Sequence, residues 1–283
     1  MTTATTTAPQ GADHRRKGPG LFRQTLRLGR TEFTLFVRYK TASMYLLMPV
    51  ILLLPVLNQQ SVPILGEYTT TELSLIGTIG AIALFLGLGH PCNVFTARRE
   101  ALVLKRLRVS GVPATAIFGG VFLVVLLFTV LIAALIVAGS VALGGPLPAD
   151  PVMLLLSVAL GCLAMTMLGL LLTRFAGNAE SAQILSMVPM MALLFLSGGF
   201  IPLDVMPDAV RQVALLLPVA PTVEMAQAAY FGYDVFGGLE GAEPVGFLGL
   251  WAGALPGIGV MLVWIVALAL LVRRYFVWDP RRP

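Results

Sequence analysis

Six stretches of this chain are apolar for about 20 residues or more, long enough to cross a hydrocarbon core of about 30 Å as helices. They lie at Ser43–Pro63, Leu73–Phe95, Ala114–Leu143, Val152–Thr173, Ala182–Leu203 and Trp251–Val272, and none carries a charge at its centre. Their apolar residues run in continuous blocks, not in the period-two or period-3.6 stripes of a soluble core. Only 12% of the 283 residues are charged and mean hydropathy is +0.88, against about 25% charged in soluble proteins, so a soluble domain is excluded. The sequence is read as an all-α integral membrane protein with six transmembrane helices. Pro49, Pro55, Pro91, Pro189 and Pro256 fall inside the blocks and predict kinks and breaks.

The net charge of +5 is explained by topology, without nucleic-acid binding. Residues 1–42 hold 8 Lys or Arg, the loop Thr96–Pro113 holds 5, the link Arg174–Ser181 holds 1 and Arg273–Pro283 holds 4, which leaves only Arg211 of the 19 on the opposite side. That side holds nine of the fourteen acids: Glu67, Glu72, Asp150, Asp204, Asp208, Glu224, Asp234, Glu240 and Glu243. Both termini are therefore expected in the cytoplasm, with an even number of spans between them. Residues 1–18 read as a disordered tail, 19–42 as an amphipathic interfacial helix, 43–272 as the six-span domain and 273–283 as a second cytoplasmic tail. Basic residues ahead of the first block, with no small-residue cleavage site after it, argue for a retained span in place of a signal peptide.

On a helical wheel over Leu21–Lys40, Phe22, Leu26, Phe33, Phe36 and Val37 fall within about 100° of arc, with Arg23, Arg27, Arg30 and Arg38 beside them. This pattern describes a helix lying on the inner leaflet. The absence of charge at mid-membrane speaks against an ion-coupled carrier, which needs a titratable group there. His90 reads as a polar residue hydrogen-bonded at the Pro91 kink, and Glu180 as a capping or solvated carboxylate. Cys92 and Cys162 sit in apolar blocks without a metal-ligating neighbour, so neither a disulfide framework nor a zinc site is expected. No His-Asp, Ser-Lys, paired-Asp or metal constellation of an intramembrane enzyme appears.

Two segments outside the spans stand out. Residues 97–109 lack Gly and Pro and predict about three turns of helix, broken by Gly111-Val112-Pro113, with Leu104 and Leu107 on one side and bases around them. Such a helix suits a groove on a cytosolic partner. After the fifth block, Ser197-Gly198-Gly199-Phe200-Ile201-Pro202-Leu203 leads into two short helices, one begun by Pro207-Asp208 and stopped at Pro218, the other capped by Thr222 and running through Phe231. Each is too short to cross, and a single crossing by the pair would put the Arg-rich tail outside. An outer re-entrant hairpin over residues 200–231 is expected instead.

The interfacial helix, six spans, an Arg-Glu-x-x-x-Leu-x-x-Leu loop between spans two and three, and a Ser-Gly-x-Phe-x-Pro…Pro…Pro hairpin before span six together resemble the permease subunit of ABC type-2 exporters, in the multidrug or daunorubicin-resistance permease group. The resemblance covers roughly residues 20–275. Arg99, Glu100, Leu104 and Leu107 match its coupling loop, but the glycine the family commonly carries after the acidic pair is Leu102 here, preceded by Ala101. The resemblance implies a bacterial plasma-membrane exporter half that dimerises with a second permease subunit, identical or related. It also implies a cytosolic ABC ATPase that holds ATP and Mg, leaving no cofactor in this chain, and a hydrophobic or amphipathic small molecule as cargo. With it, Arg99, Glu100, Leu104 and Leu107, together with their neighbours Arg98 and Arg106, are expected to serve ATPase coupling, while the wheel gives Phe22, Arg23, Leu26, Arg27 and Phe33 to the interfacial helix and the proline-punctuated segment gives Phe200, Pro202, Leu203, Pro207, Leu217 and Pro218 to the outer hairpin and exit.

The sequence agrees with a separate energy source. Gly-x-x-x-x-Gly-Lys-[Ser/Thr] is absent, since only Lys40 of the three lysines is followed by Thr or Ser and Tyr39 stands where the motif needs glycine. Competing readings are a permease for a lipid-linked glycan and a channel or membrane scaffold not coupled to ATP. The basic asymmetry makes a direct prediction for single cysteines in a background lacking Cys92 and Cys162. Cysteines at positions 61 and 234 should react with an impermeant thiol reagent in intact cells, and those at 105 and 281 only after the membrane is opened.

Overall fold

A computed structural model describes residues 20–38, 47, 51 and 53–279. The expected tail over 1–18, residues 43–46, 48–50 and 52 of the first apolar block, and Arg281 and Arg282 lie outside the described residues. Among the described residues the first element is α1 (Leu21–Arg38), and after a helical stretch at 53–58 comes a small hairpin of β1 (Pro63–Leu65) and β2 (Tyr68–Thr69). The strands are antiparallel, with Pro63 opposite Thr69 and Leu65 opposite Tyr68. They turn at Gly66, whose φ of 55° suits glycine.

The next helix is the axis of the fold. α2 (Thr70–Leu84) starts at a capping box in which the Thr69 N–H donates to the Glu72 carboxylate at 2.8 Å and the Glu72 N–H to the Thr69 hydroxyl at 3.4 Å. A π-helical turn at Phe85–Gly89 joins it to α3 (His90–Glu100), making one run of 31 residues that is 94% buried over its apolar window. Pro91 explains the π turn. Its ring has no N–H and collides with the carbonyl four residues back, at Gly87, and the wider turn removes the collision.

Around this rod stand α5 (Ala114–Ala142), α6 (Pro151–Leu172) and α7 (Ala179–Phe195), while α10 (Phe247–Tyr275) packs against α6 and the helix over residues 219–231. A short α4 (Val103–Val109) precedes α5, and α8 (Asp208–Leu215) and α9 (Val219–Phe231) lie between α7 and α10. Within a membrane, helices associate by close packing, which glycine permits. A Cβ on Gly169 would stand 2.5 Å from the Leu88 carbonyl oxygen, on Gly161 2.6 Å from the Thr222 side chain, and on Gly77 2.6 Å from the Gly199 oxygen.

Four described helices or helix runs are long and apolar enough to cross a membrane, and five if the bent pair α8–α9 counts as one span. The fifth expected span, Ala182–Leu203, is a helix of 17 residues that ends at Phe195. Leu203 belongs to a separate 3-10 turn, because the chain reverses through Ser197-Gly198-Gly199, with Gly198 at φ 75°. The expected hairpin breaks at Pro218, with α8 and α9 bent by 86°. α9 begins one residue after that proline, so Thr222 does not cap it and its hydroxyl donates back to the Pro218 carbonyl at 2.9 Å.

The two ends differ in charge. One gathers Glu67, Glu72, Asp150, the α8–α9 pair and the 232–246 loop. There Asp150 caps α6 by accepting from the N–H groups of Val152 and Met153, both at 3.0 Å, and from Trp251 Nε1 at 2.7 Å. The Tyr230 hydroxyl donates to the Pro146 carbonyl at 2.7 Å. Arg211 lies 3.4 Å from Asp204 and donates to the Gly237 carbonyl at 2.6 Å, strapping the 232–246 loop to α8. The opposite, basic end carries α1, the end of α3, α4 and the end of α10.

Close packing at Gly169 yields a paired test. Gly169→Ala forces a methyl against backbone and should cost about 2 kcal/mol. Gly139→Ala, in open space on α5, should stabilise by about 0.5–1 kcal/mol through helix propensity. Thermal unfolding in one detergent checks both signs.

Candidate coupling surface

Three consecutive charged residues at the end of α3 project in different directions because successive helical side chains are about 100° apart. Both terminal guanidinium nitrogens of Arg98 grip the Glu32 carboxylate of α1, one of them at 2.6 Å. Arg98 also lies 5.9 Å above the Phe95 ring. Arg99 is 1% exposed and donates to the carbonyls of Thr173 at 2.8 Å and Ala176 at 2.6 Å, just past the C-terminus of α6. The Glu100 carboxylate accepts from the Ala179 N–H at 2.9 Å, at the first turn of α7. A cation thus meets the negative end of one helix dipole and an anion the positive end of the next, satisfying termini that have no intrahelical partner. Asn93 adds a bond to the Ala179 carbonyl at 2.9 Å.

The expected single helix over 97–109 is two helices. It breaks at Ala101-Leu102, where Leu102 has φ 57° and is the only described non-glycine residue with positive φ. The break changes which side of α4 faces out. Leu104, expected to enter a partner groove, is fully buried in this chain's own core, and Leu107 is half-buried against the same core. The outward side is Leu102, Lys105, Arg106, Val109 and Ser110, which line an open concavity, with Val109 81% exposed. Arg106 therefore stands on the free side, while Arg98 and Arg99 are turned into the fold and Glu100 stays exposed at its bond to the Ala179 N–H.

The residues after α10 complete this end. Phe276 packs edge-on against Phe118 at 5.0 Å, Trp278 stacks on Phe118 at 5.6 Å, and Arg108 of α4 lies 5.5 Å above the Trp278 ring. From sequence alone, 273–283 is a cytoplasmic tail. Two aromatic residues in a short basic segment were the available signal.

On α1, Phe22, Leu26 and Phe33 are exposed, as are Arg23 and Arg27. Phe36 was grouped with them on the wheel but is buried, stacking on Phe128 at 4.4 Å and meeting His90 edge-on at 4.7 Å. His90 thus lies at an inter-helix contact beside the π turn. Glu180 is exposed in the first turn of α7. At the acidic end, Phe200 and Leu217 pack together against a cluster from α2, the π turn, α6 and α7, whereas Leu203 sits in a second cluster with Ala214 and Ala220. Pro207 and Pro218 stand at the N-caps of α8 and α9, and Pro202 precedes the 3-10 turn.

Apolar helices of crossing length define a multi-pass membrane protein. Residues 21–231 match the ABC-2 type transporter family, and the chain belongs to it. It is similar to the inner membrane transport permease YhhJ of Escherichia coli (strain K12), 32% identical over 116 residues that make up 40% of this chain and 30% of that protein. It is also similar to Nodulation protein J of Rhizobium leguminosarum bv. viciae, 28% identical over 117 residues, 41% of each chain. The matched segment spans less than half the length of these curated relatives.

The left-handed Leu102 stores about 1 kcal/mol that glycine would not. Leu102→Gly should raise stability by about that amount, and Leu102→Ala, which keeps the offending Cβ, should not. Thermal melts of the two variants against the parent check this.

Proposed function

We propose that this chain is the membrane half of an ATP-driven exporter in the multidrug group. In this reading it moves a hydrophobic or amphipathic small molecule out of the cell and works as a dimer with a second permease subunit. A separate cytosolic ATPase carries ATP and Mg and docks on the outward side of α4, formed by Leu102, Lys105, Arg106 and Val109. The observation that carries this reading is the charged junction at 98–100. A push on α4 reaches α1 through Arg98–Glu32 and the α6–α7 turn through Arg99 and Glu100 without passing through a flexible link. Phe200 packs against a cluster that includes Met190, Leu193 and Leu194 of α7, so the same push reaches the hairpin at the acidic end. Phe200, Pro202, Leu203, Pro207, Leu217 and Pro218 then border the exit. The absence of a P-loop lysine motif supports a borrowed energy source, and the apolar character of the helices supports an apolar cargo.

Val109→Asp tests the docking side without disturbing the core. It places an unpaired carboxylate in the contact, costing about 3 kcal/mol, or roughly 100-fold in affinity. A candidate ATPase should co-purify with the parent and be lost from this variant, while membrane insertion is unchanged. ATP-dependent accumulation of hydrophobic dyes in inverted vesicles should fall with it. Full co-purification of the ATPase with the variant overturns the docking assignment, and stimulation by lipid-linked glycans alone overturns the cargo class.

A further inference from the structure

Helix α1 presents three chemically different sides. The first faces the bundle, where Gly29 approaches Gly120 and Leu123 and Phe36 stacks on Phe128. Advancing about 100° per residue, the second side holds Phe22, Leu26, Phe33 and Val37, all exposed. The third holds Arg23, Arg27, Arg30 and Arg38, also exposed. Among the described residues none of these four arginines pairs with an acid. The one acid of the helix, Glu32, is buried and taken by Arg98. Every charge that α1 offers outward is therefore positive, and it borders an apolar strip.

That arrangement matches a leaflet with phosphate at its surface. The strip enters the acyl boundary while the arginines stay at headgroup depth. Guanidinium forks engage phosphate oxygens in pairs, and an anionic leaflet attracts each basic residue held near it. We propose that α1 is a binding surface for anionic phospholipid. We further assign to the Glu32–Arg98 pair the link between occupancy of that surface and the 98–109 segment. The proposal rests on reading α1 as an interfacial helix and does not depend on the ATPase.

The test uses the full chain alone in phosphatidylcholine nanodiscs, titrated with fluorescent phosphatidylglycerol. The parent should bind phosphatidylglycerol over labelled phosphatidylcholine, and R23Q/R27Q/R30Q should lose about tenfold or more of that preference. R23K/R27K/R30K should keep most of it, since charge is retained. In the same discs, phosphatidylglycerol should slow amide exchange over 98–109 in the parent. In Glu32→Gln the lipid should still bind but the slowing should vanish, and the reversed pair E32R/R98E should restore it should Glu32→Gln prove unstable.

No lipid preference in the parent, or a preference unchanged in the glutamine variant, overturns the surface and leaves the arginines a role in orientation only. An exchange response at 98–109 that is absent in the parent, or that persists in Glu32→Gln, overturns the link. Because no ATPase is present, these outcomes are independent of whether one docks on α4.

Discussion

A guanidinium can be buried in a membrane-embedded fold only where its donors are met, and Arg99 satisfies that condition with the free carbonyls past the end of α6. Its neighbours extend the same logic. Glu100 takes the first N–H of α7, and Arg98 takes the only acid of α1. Arg98 and Arg99 meet an ion and a helix terminus that would otherwise be costly to bury, so removing either leaves a buried partner unsatisfied, whereas Glu100 makes its bond at the surface. Three elements are thereby held to one end of the central rod, and the orientation of α4, which follows that end directly, depends on them.

The rod transmits what happens at that end because it is enclosed along its length. Glycine contacts at Gly77, Gly87 and Gly169 bring backbone against backbone, and such contacts leave no room for gradual slippage. Its local irregularity is the π turn, forced by Pro91 and lined by Gly87. The strained Leu102 lies just beyond it, at the start of the helix whose outward side is free. A non-glycine residue in the left-handed region is kept where the surrounding structure over-determines it. Here the anchored end of α3 on one side and the buried Leu104 on the other fix the backbone between them.

The acidic end is organised by hydrogen bonds and one ion pair, Arg211–Asp204. Asp150, Trp251 and Tyr230 tie the starts of α6 and α10 to α9, and the Arg211 strap holds the 232–246 loop over α8. The 86° break at Pro218 leaves two short helices whose ends need such partners, because neither can satisfy them across a bilayer.

Blocks of apolar residue, the irregular turn at Pro91 and the gathering of Arg and Lys at one end were legible in the linear chain, whereas Pro189 and Pro256, read as kinks or breaks, lie inside unbroken helices. Also legible were the amphipathic stripe of α1 and the short helices begun at Pro207 and ended by Pro218, which follow from local backbone rules. The inward turn of Leu104, the burial of Phe36 and the pairing of Arg98, Arg99 and Glu100 with residues 66 to 79 positions away were not. Nor was the early end of α7 at Phe195. A run such as Arg98-Arg99-Glu100 looks like a solvated cationic loop from sequence, since its partners are mostly backbone carbonyls and N–H groups that carry no side-chain signature. Which carbonyls stand free, and on which side of a helix they lie, is set only once the spans are packed, and that packing decided which residues of the basic end face inward and which are left to meet a partner.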